Sequence, residues 1–216
     1  MKAVIFDLDG VVVYTDGYHY KAWKKLADDN GWDFNEELNN GLRGVSRMDS
    51  LQIILDHNGI ELPEEERVRL ATIKNEDYRA FLAEIDDSAL VTGAIDFIKR
   101  VRERGVKTAI GSSSKNAMMV LEKLRITDLF DAVVTGRDIQ RSKPDPEIFL
   151  LGAERLGLRP SECYVFEDAH SGVDAAQAGG MVAVGFGPSA GLDHADIRVE
   201  RFEDIDIDRF VTEGHA

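Results

Sequence analysis

Cysteine is all but missing. Cys163 is the single thiol in 216 residues, so the chain cannot close an internal disulfide, and a reducing, cytoplasmic setting is expected. Long apolar runs are missing as well. None reaches the roughly 20 residues that a helix needs to cross a bilayer, so no membrane partner is expected. The first apolar run stops at Asp7, too early for a secretory leader. Positive charge is scarce: 26 Lys and Arg face 40 Asp and Glu, a net charge of −14. That balance argues against nucleic acid as a partner. It leaves small phosphates open, because they need only a few local cations and N–H groups. Repeats and low-complexity linkers are absent. What remains is 44% apolar and 31% charged, enough for one large domain or for a core with a smaller module.

The first ten residues organise the rest. Ala3-Val4-Ile5-Phe6 reads as a buried strand, and it runs straight into Asp7-Leu8-Asp9-Gly10. Alternate side chains of an extended segment point the same way, so Asp7 and Asp9 share one side of the strand end. Two carboxylates beside a buried strand are costly unless a cation or a proton compensates them. A hard divalent metal such as Mg2+, which takes oxygen ligands, does this most simply.

Downstream, residues 15–88 read as helical throughout. A helix over Tyr18–Leu26 has Thr15 or Asp16 available as its cap. A short helix follows at Asn35–Asn40, then one marked by Met48, Leu51, Ile54 and Leu55, and then one from Pro63 to about Ala83. Between them, Gly41 to Arg47 reads as a loop with two cations and two glycines. From Leu90 onward, helix and strand alternate: strands at 107–111, 132–134, 163–166 and 182–184, helices at 117–124, 146–156 and 173–178. Strands separated by helices imply a parallel sheet covered on both faces. The expected fold is therefore α/β, a Rossmann-like parallel sheet core with an inserted all-helical cap. Residues 1–14 and 89–216 form the core, and 15–88 the cap. In such sheets ligands bind beyond the carboxyl ends of the strands. Ile197–Val199 adds an edge strand and Ile205–Phe210 a closing helix. Gly185-Phe186-Gly187-Pro188 lacks the third glycine of a dinucleotide loop and reads as a plain loop.

Three further polar stretches lie at strand ends or helix starts. Ser112-Ser113-Ser114-Lys115-Asn116 places hydroxyls before a helix N-terminus, which suits a phosphate, though on its own the stretch reads first as a plain serine-rich helix cap. Ser142-Lys143-Pro144-Asp145-Pro146 carries one lysine in a proline-punctuated loop. Phe166-Glu167-Asp168 is a second carboxylate pair closing an apolar strand. His19 could be a satisfied helix histidine, Trp23 part of the helical core, and Arg43 and Arg47 solvated cations.

Taken in order, Asp7-Leu8-Asp9-Gly10, Ser112, Lys143 and Glu167-Asp168 resemble the four motifs of the haloacid dehalogenase superfamily across essentially the whole chain. The resemblance implies Asp7 as nucleophile, Asp9 as general acid/base, and Ser112 and Lys143 as phosphoryl-binding groups. It also implies Mg2+ held by Asp7, the backbone carbonyl of Asp9 and Asp168, with Glu167 a direct or water-mediated ligand. In the helical insert the similarity narrows to the β-phosphoglucomutase-like branch. Thr15, His19, Trp23, Leu42-Arg43-Gly44-Val45-Ser46-Arg47, Ser50 and Lys74 match its substrate-binding pattern, as do Ser113, Ser114, Lys115 and Asn116 in the core. There the loop ending in Arg47 holds the non-reacting phosphate of a sugar phosphate, a task that suits the planar guanidinium. Two departures stand out: Tyr14 where many relatives carry an acid, and Arg43 where the branch carries lysine. The resemblance implies a monomeric sugar-phosphate mutase. A sugar-phosphate phosphatase is the alternative, and a non-catalytic sensor the remote one.

Overall fold

The computed structural model describes residues 1–42, 45–188 and 192–213. β1 (Ala3–Phe6) leads into α1 (Asp16–Asn30), α2 (Glu36–Asn40), α3 (Arg47–His57) and α4 (Glu64–Leu82). Then follow α5 (Ala94–Glu103), β2 (Lys107–Ser112), α6 (Ala117–Lys123), β3 (Ala132–Thr135), α7 (Glu147–Leu156) and β4 (Cys163–Glu167). α8 (His170–Ala178), β5 (Val182–Phe186), β6 (Ile197–Val199) and α9 (Ile207–Glu213) complete the chain. It divides into two compact units, Met1–Tyr14 with Asp86–Ala216, and Thr15–Ile85.

In the first unit all six strands run parallel in the order β3-β2-β1-β4-β5-β6. This is the α/β, Rossmann-like sheet that the alternation implied. Every residue of β1 is buried, as a central parallel strand with both faces covered must be. Ile5, Val165 and Ala183 face Phe149, Ala153 and Leu156 of α7 and Val173 and Ala176 of α8. One position on in β1 and β4, and three on in β5, Phe6, Phe166 and Phe186 turn to the opposite face. There Phe202 stacks on Phe166 at 5.7 Å, on Phe97 of α5 at 4.9 Å and on Phe186 at 4.3 Å. Phe210 of α9 meets Phe166 edge-on at 5.7 Å. A buried Phe contributes about 1.5–3 kcal/mol. Phe202 and Phe210 therefore hold the otherwise acidic C-terminal segment onto the sheet. Because β1 lies between β2 and β4, the chain leaves it first toward β3 and later toward β6. The resulting switch point, at the carboxyl ends of β1 and β4, is where an open sheet offers its crevice.

The helical unit buries Trp23, Leu26 and Ala27 of α1, Leu51, Ile54 and Leu55 of α3, and Leu70 and Ala71 of α4, together with Phe34 and Leu42. These positions recur at three- and four-residue spacings, one stripe per helix. Among the described residues, no helix is long and apolar enough to cross a membrane.

Four local expectations are corrected. Thr15 sits at the N-cap of α1 but its side chain makes no capping bond; only its carbonyl serves, accepting from the N–H groups of Tyr18 and His19 at 2.9 and 3.1 Å. Arg47 is not a loop residue. Ser46 caps α3, accepting the Asp49 N–H at 3.3 Å while its hydroxyl donates to the Asp49 carboxylate, so Arg47 opens the helix. α8 begins at His170, three residues before Val173, because its first turn closes on the Ala169 carbonyl. Gly185 and Phe186 lie inside β5, paired with Glu167 of β4 and with Val199 of β6, and the strand ends before Gly187.

Candidate active site

The register of β1 on β4 sets Phe6 opposite Phe166. The Asp7 N–H donates to the Phe166 carbonyl at 2.9 Å, so the two acid-bearing strand ends emerge side by side. Asp7 is 6% exposed and Glu167 1%. Lys143, 6% exposed, comes from the loop before α7 and donates to both carboxylates. The Phe149 ring lies 4.8 Å beneath its ammonium group. The second Glu167 oxygen accepts the Ala169 N–H at 2.9 Å. Lys143 and Glu167 are therefore each held from two directions, which fixes a buried charge in one geometry.

Burial alone would lower the Lys143 pKa. The Asp7 and Glu167 carboxylates that it touches outweigh that, and they hold the ammonium above its ordinary value. For Asp7 the balance runs the other way. Burial raises its carboxyl, Lys143 opposes the rise, and the charges of Glu167, Asp9 and Asp168 add to it. Four carboxyl groups thus act at one place against one ammonium. Ser112 donates to Asp9 at 3.4 Å and accepts the Ser114 N–H at 3.2 Å, and Ser114 in turn accepts the Asn116 N–H at 3.2 Å. The Ser113 hydroxyl is buried and has no hydrogen-bond partner among the described residues. Lys115 is exposed, and its carbonyl takes the Arg137 guanidinium at 2.8 Å.

The donor set fits a hard divalent cation. It consists of carboxylate oxygens in excess of local positive charge, packed against backbone that carries no side chain. Gly10 has φ +87°, and a Cβ there would fall inside the Asp168 carboxylate. Gly172, in α8, stands in the same relation to Glu167. Alanine is ordinarily worth about 1 kcal/mol more than glycine in a helix. Gly172→Ala should nonetheless lower stability by about 1–3 kcal/mol, because its methyl displaces Glu167 from Lys143. A urea midpoint that rose instead would show that Glu167 moves aside freely.

The helical unit holds a second constellation. His19 and Trp23, four apart on α1, face Lys74 and Tyr78, four apart on α4. Lys74, 2% exposed, lies 2.9 Å from His19 Nδ1, 4.5 Å from the Trp23 ring and 4.9 Å from the Tyr78 ring. His19 stacks on Tyr78 at 4.1 Å. An ammonium can only donate, so Nδ1 accepts and His19 carries its proton on Nε2. Burial first, then the charges of Lys74 and Arg47, push His19 well below the usual histidine range, so its imidazole stays neutral. Thr15, Leu42 and Ser50 are buried, and Val45, Ser46 and Arg47 are half-buried. Arg43 and Gly44 lie outside the described residues.

Within the first unit the structure brings Asp7, Asp9, Ser112, Lys143, Glu167 and Asp168 to one end of the sheet. Within the second it gathers His19, Trp23, Lys74 and Arg47. Sequence reasoning missed Phe149 and Tyr78. The signal for Tyr78 was present: it follows Lys74 by four residues, as Trp23 follows His19.

Comparison with known proteins places this geometry. The haloacid dehalogenase-like hydrolase family matches residues 1–180. The chain is 37% identical over 210 residues to a β-phosphoglucomutase of Bacillus subtilis, covering 96% of this chain and 93% of that one. It is 35% identical over 182 residues to a fructose-1-phosphate phosphatase of Escherichia coli, covering 84% and 94%. Its fold superimposes on a β-phosphoglucomutase of Clostridium difficile with TM-score 0.92 at 37% identity, covering 99% and 96%. With two acid-bearing strand ends bridged by one buried lysine, and with a family match over most of its length, the chain belongs to the haloacid dehalogenase-like hydrolases.

Proposed function

We propose that this enzyme is a β-phosphoglucomutase, interconverting β-D-glucose 1-phosphate and glucose 6-phosphate through β-glucose 1,6-bisphosphate. The observation that carries the reading is the buried Asp7–Lys143–Glu167 bridge in a chain similar along nearly its full length to two β-phosphoglucomutases. Asp7 is the nucleophile. Its carboxylate oxygen forms a bond to phosphorus as the bond from phosphorus to the leaving oxygen breaks, giving an aspartyl-phosphate. Asp9, oriented by Ser112, gives its proton to the leaving oxygen. In the second half it takes a proton from the acceptor hydroxyl, which attacks phosphorus and frees Asp7. Lys143 neutralises charge on the transferring oxygens. Asp7, Asp168 and the Asp9 carbonyl, with Glu167 in support, would hold Mg2+, which would supply the remaining charge neutralisation. Ser113, Ser114, Lys115 and Asn116 supply further phosphate contacts.

A mutase must accept a second phosphate, and the helical unit supplies the cation for it. We assign that task to Arg47, with Lys74 and the neutral His19 contacting sugar hydroxyls or phosphate and Trp23 shaping the wall. Monomeric, cytoplasmic operation belongs to the same reading.

The E. coli phosphatase at 35% identity favours a second reading, in which water accepts the phosphoryl group. A paired assay separates the two, with Mg2+, β-glucose 1-phosphate and a trace of glucose 1,6-bisphosphate. Glucose 6-phosphate is followed in one channel and inorganic phosphate in the other. The mutase reading expects fast glucose 6-phosphate with little phosphate release. Arg47→Ala should then lower kcat/KM by about 10–150-fold, the worth of a charge-assisted hydrogen bond. Phosphate release as fast as isomerisation, on many sugar phosphates and indifferent to Arg47, would establish the phosphatase.

A further inference from the structure

A second cluster of metal-ligating side chains lies in the first unit, and the proposed chemistry uses none of it. His170 opens α8, and Asp174 stands one turn later on the same side of the helix. His194 comes from the segment between β5 and β6. His170 Nδ1 lies 3.0 Å from one oxygen of Asp174, and His194 Nε2 lies 3.1 Å from the other. The two rings stack with centroids 4.1 Å apart and planes 28° apart. One ligand atom from each residue falls within 4.8 Å of the other two.

His194 Nε2 is shielded from solvent and makes no hydrogen bond among the described residues, although the carboxylate oxygen is 3.1 Å away. A buried nitrogen held that close to a carboxylate without an aligned N–H bond leaves a lone pair and an oxygen that a cation can take together. His194 and Asp196 are themselves pinned. Gln177 donates to the His194 carbonyl at 2.7 Å, and the Ala183 N–H donates to Asp196 at 2.8 Å. His170 is free to adjust, with 66% of its side chain exposed.

We propose that His170, Asp174 and His194 form a metal site for a borderline divalent ion of the zinc class, which clips the first turn of α8 to the β5–β6 segment. Two imidazoles and one carboxylate are the donors such an ion takes, with water as its fourth ligand. In a tetrahedral site with bonds of about 2.0–2.2 Å, neighbouring ligand atoms stand about 3.3 Å apart. Each imidazole already stands near that spacing from its own oxygen of Asp174, and small rotations of the carboxylate and of the exposed His170 ring bring both nitrogens onto one shared oxygen. The all-oxygen cluster at Asp7 and Asp168 prefers a hard ion, so the two sites differ in the metal they select. The site does not depend on which sugar phosphate the enzyme uses.

The test is a titration of the purified full chain with Co2+, in enough Mg2+ to saturate the oxygen site. One equivalent should develop the visible bands of four-coordinate Co2+, and Zn2+ should erase them. His170→Ala and His194→Ala should each weaken binding at least about a hundredfold, since even groups behind a ligand commonly cost roughly 10–100-fold. Zn2+ should raise the unfolding temperature of the parent protein and leave both variants unmoved. His170→Ala alters an exposed side chain, so its metal-free unfolding temperature should equal that of the parent. Bands that never form would overturn the site. So would bands that survive in both histidine variants and vanish in Asp168→Asn, because the ion would then sit among the oxygens.

Discussion

Asp7→Asn is expected to cut turnover by at least about 10^4-fold, the scale on which losing a covalent nucleophile is felt. An amide oxygen has almost no power to attack phosphorus, and Asp7 is the residue whose backbone N–H is fixed on the Phe166 carbonyl while its carboxylate takes Lys143. The substitution should not cost stability. Burial and the neighbouring charges of Glu167, Asp9 and Asp168 raise the Asp7 carboxyl, with only Lys143 opposing them. A carboxyl raised on folding is favourable when protonated and loses that advantage as pH climbs through its folded value. At neutral pH, and with metal removed by chelation, the ionised Asp7 is therefore a burden. Asn keeps the shape and drops the charge, while Lys143 retains Glu167 as its partner. Two measurements check this. Labelled glucose 1,6-bisphosphate followed by an acid quench should trap phosphoenzyme in the parent and none in Asp7→Asn. The unfolding midpoint of the variant in chelator should equal or exceed the parent's. Phosphoenzyme that persists in the variant would move the nucleophile elsewhere.

That experiment turns on a residue legible from the first ten positions alone, and the reason is physical. An apolar run that ends in two acids is locally inconsistent, and local inconsistency marks functional sites. The same holds for Phe166-Glu167-Asp168. The parallel sheet was legible because helix and strand alternate at short spacing. Less legible was anything set by contacts distant in sequence. Phe97, Phe202 and Phe210 converge on Phe166 from three separate segments, which no window of sequence displays. Lys143 reads as a solvated loop lysine until the fold buries it between two acids. α8 starts three residues before the Val173 that the sequence pattern indicates. In the structure Gly172 is a helical residue whose missing side chain makes room for Glu167. Arg47 follows a helix cap whose spacing Ser46 and Asp49 carry. The pattern was in the sequence, but the neighbouring glycines outweighed it.

Lys143→Met should produce the largest loss of stability of any substitution in the site, about 3–5 kcal/mol at neutral pH, as is usual when one partner of a buried ion pair is removed. Methionine fills similar space and can still lie over Phe149. What disappears is the one ammonium that touches both Asp7 and Glu167. Two buried carboxylates then face each other, with Asp9 and Asp168 adding repulsion at Asp7. The pH dependence follows in sign. The variant's carboxyls rise further on folding, so their protonation favours the native state below those raised values, and the benefit is lost as pH increases. The deficit against the parent should therefore shrink on going from pH 8 to pH 5. Mg2+ replaces the missing positive charge, so it should raise the urea midpoint of Lys143→Met more than that of the parent. Activity should stay low even in saturating Mg2+, by about 10^2–10^3-fold, because a preorganised donor to the transferring phosphoryl oxygens is gone. Urea titrations at the two pH values, with and without Mg2+, read all of this except the activity. A deficit below about 1 kcal/mol that ignores both pH and metal would mean that the lysine only fills space. A deficit that metal and acid each repair would identify Lys143 as the counter-charge that lets two carboxylates share one end of a buried sheet.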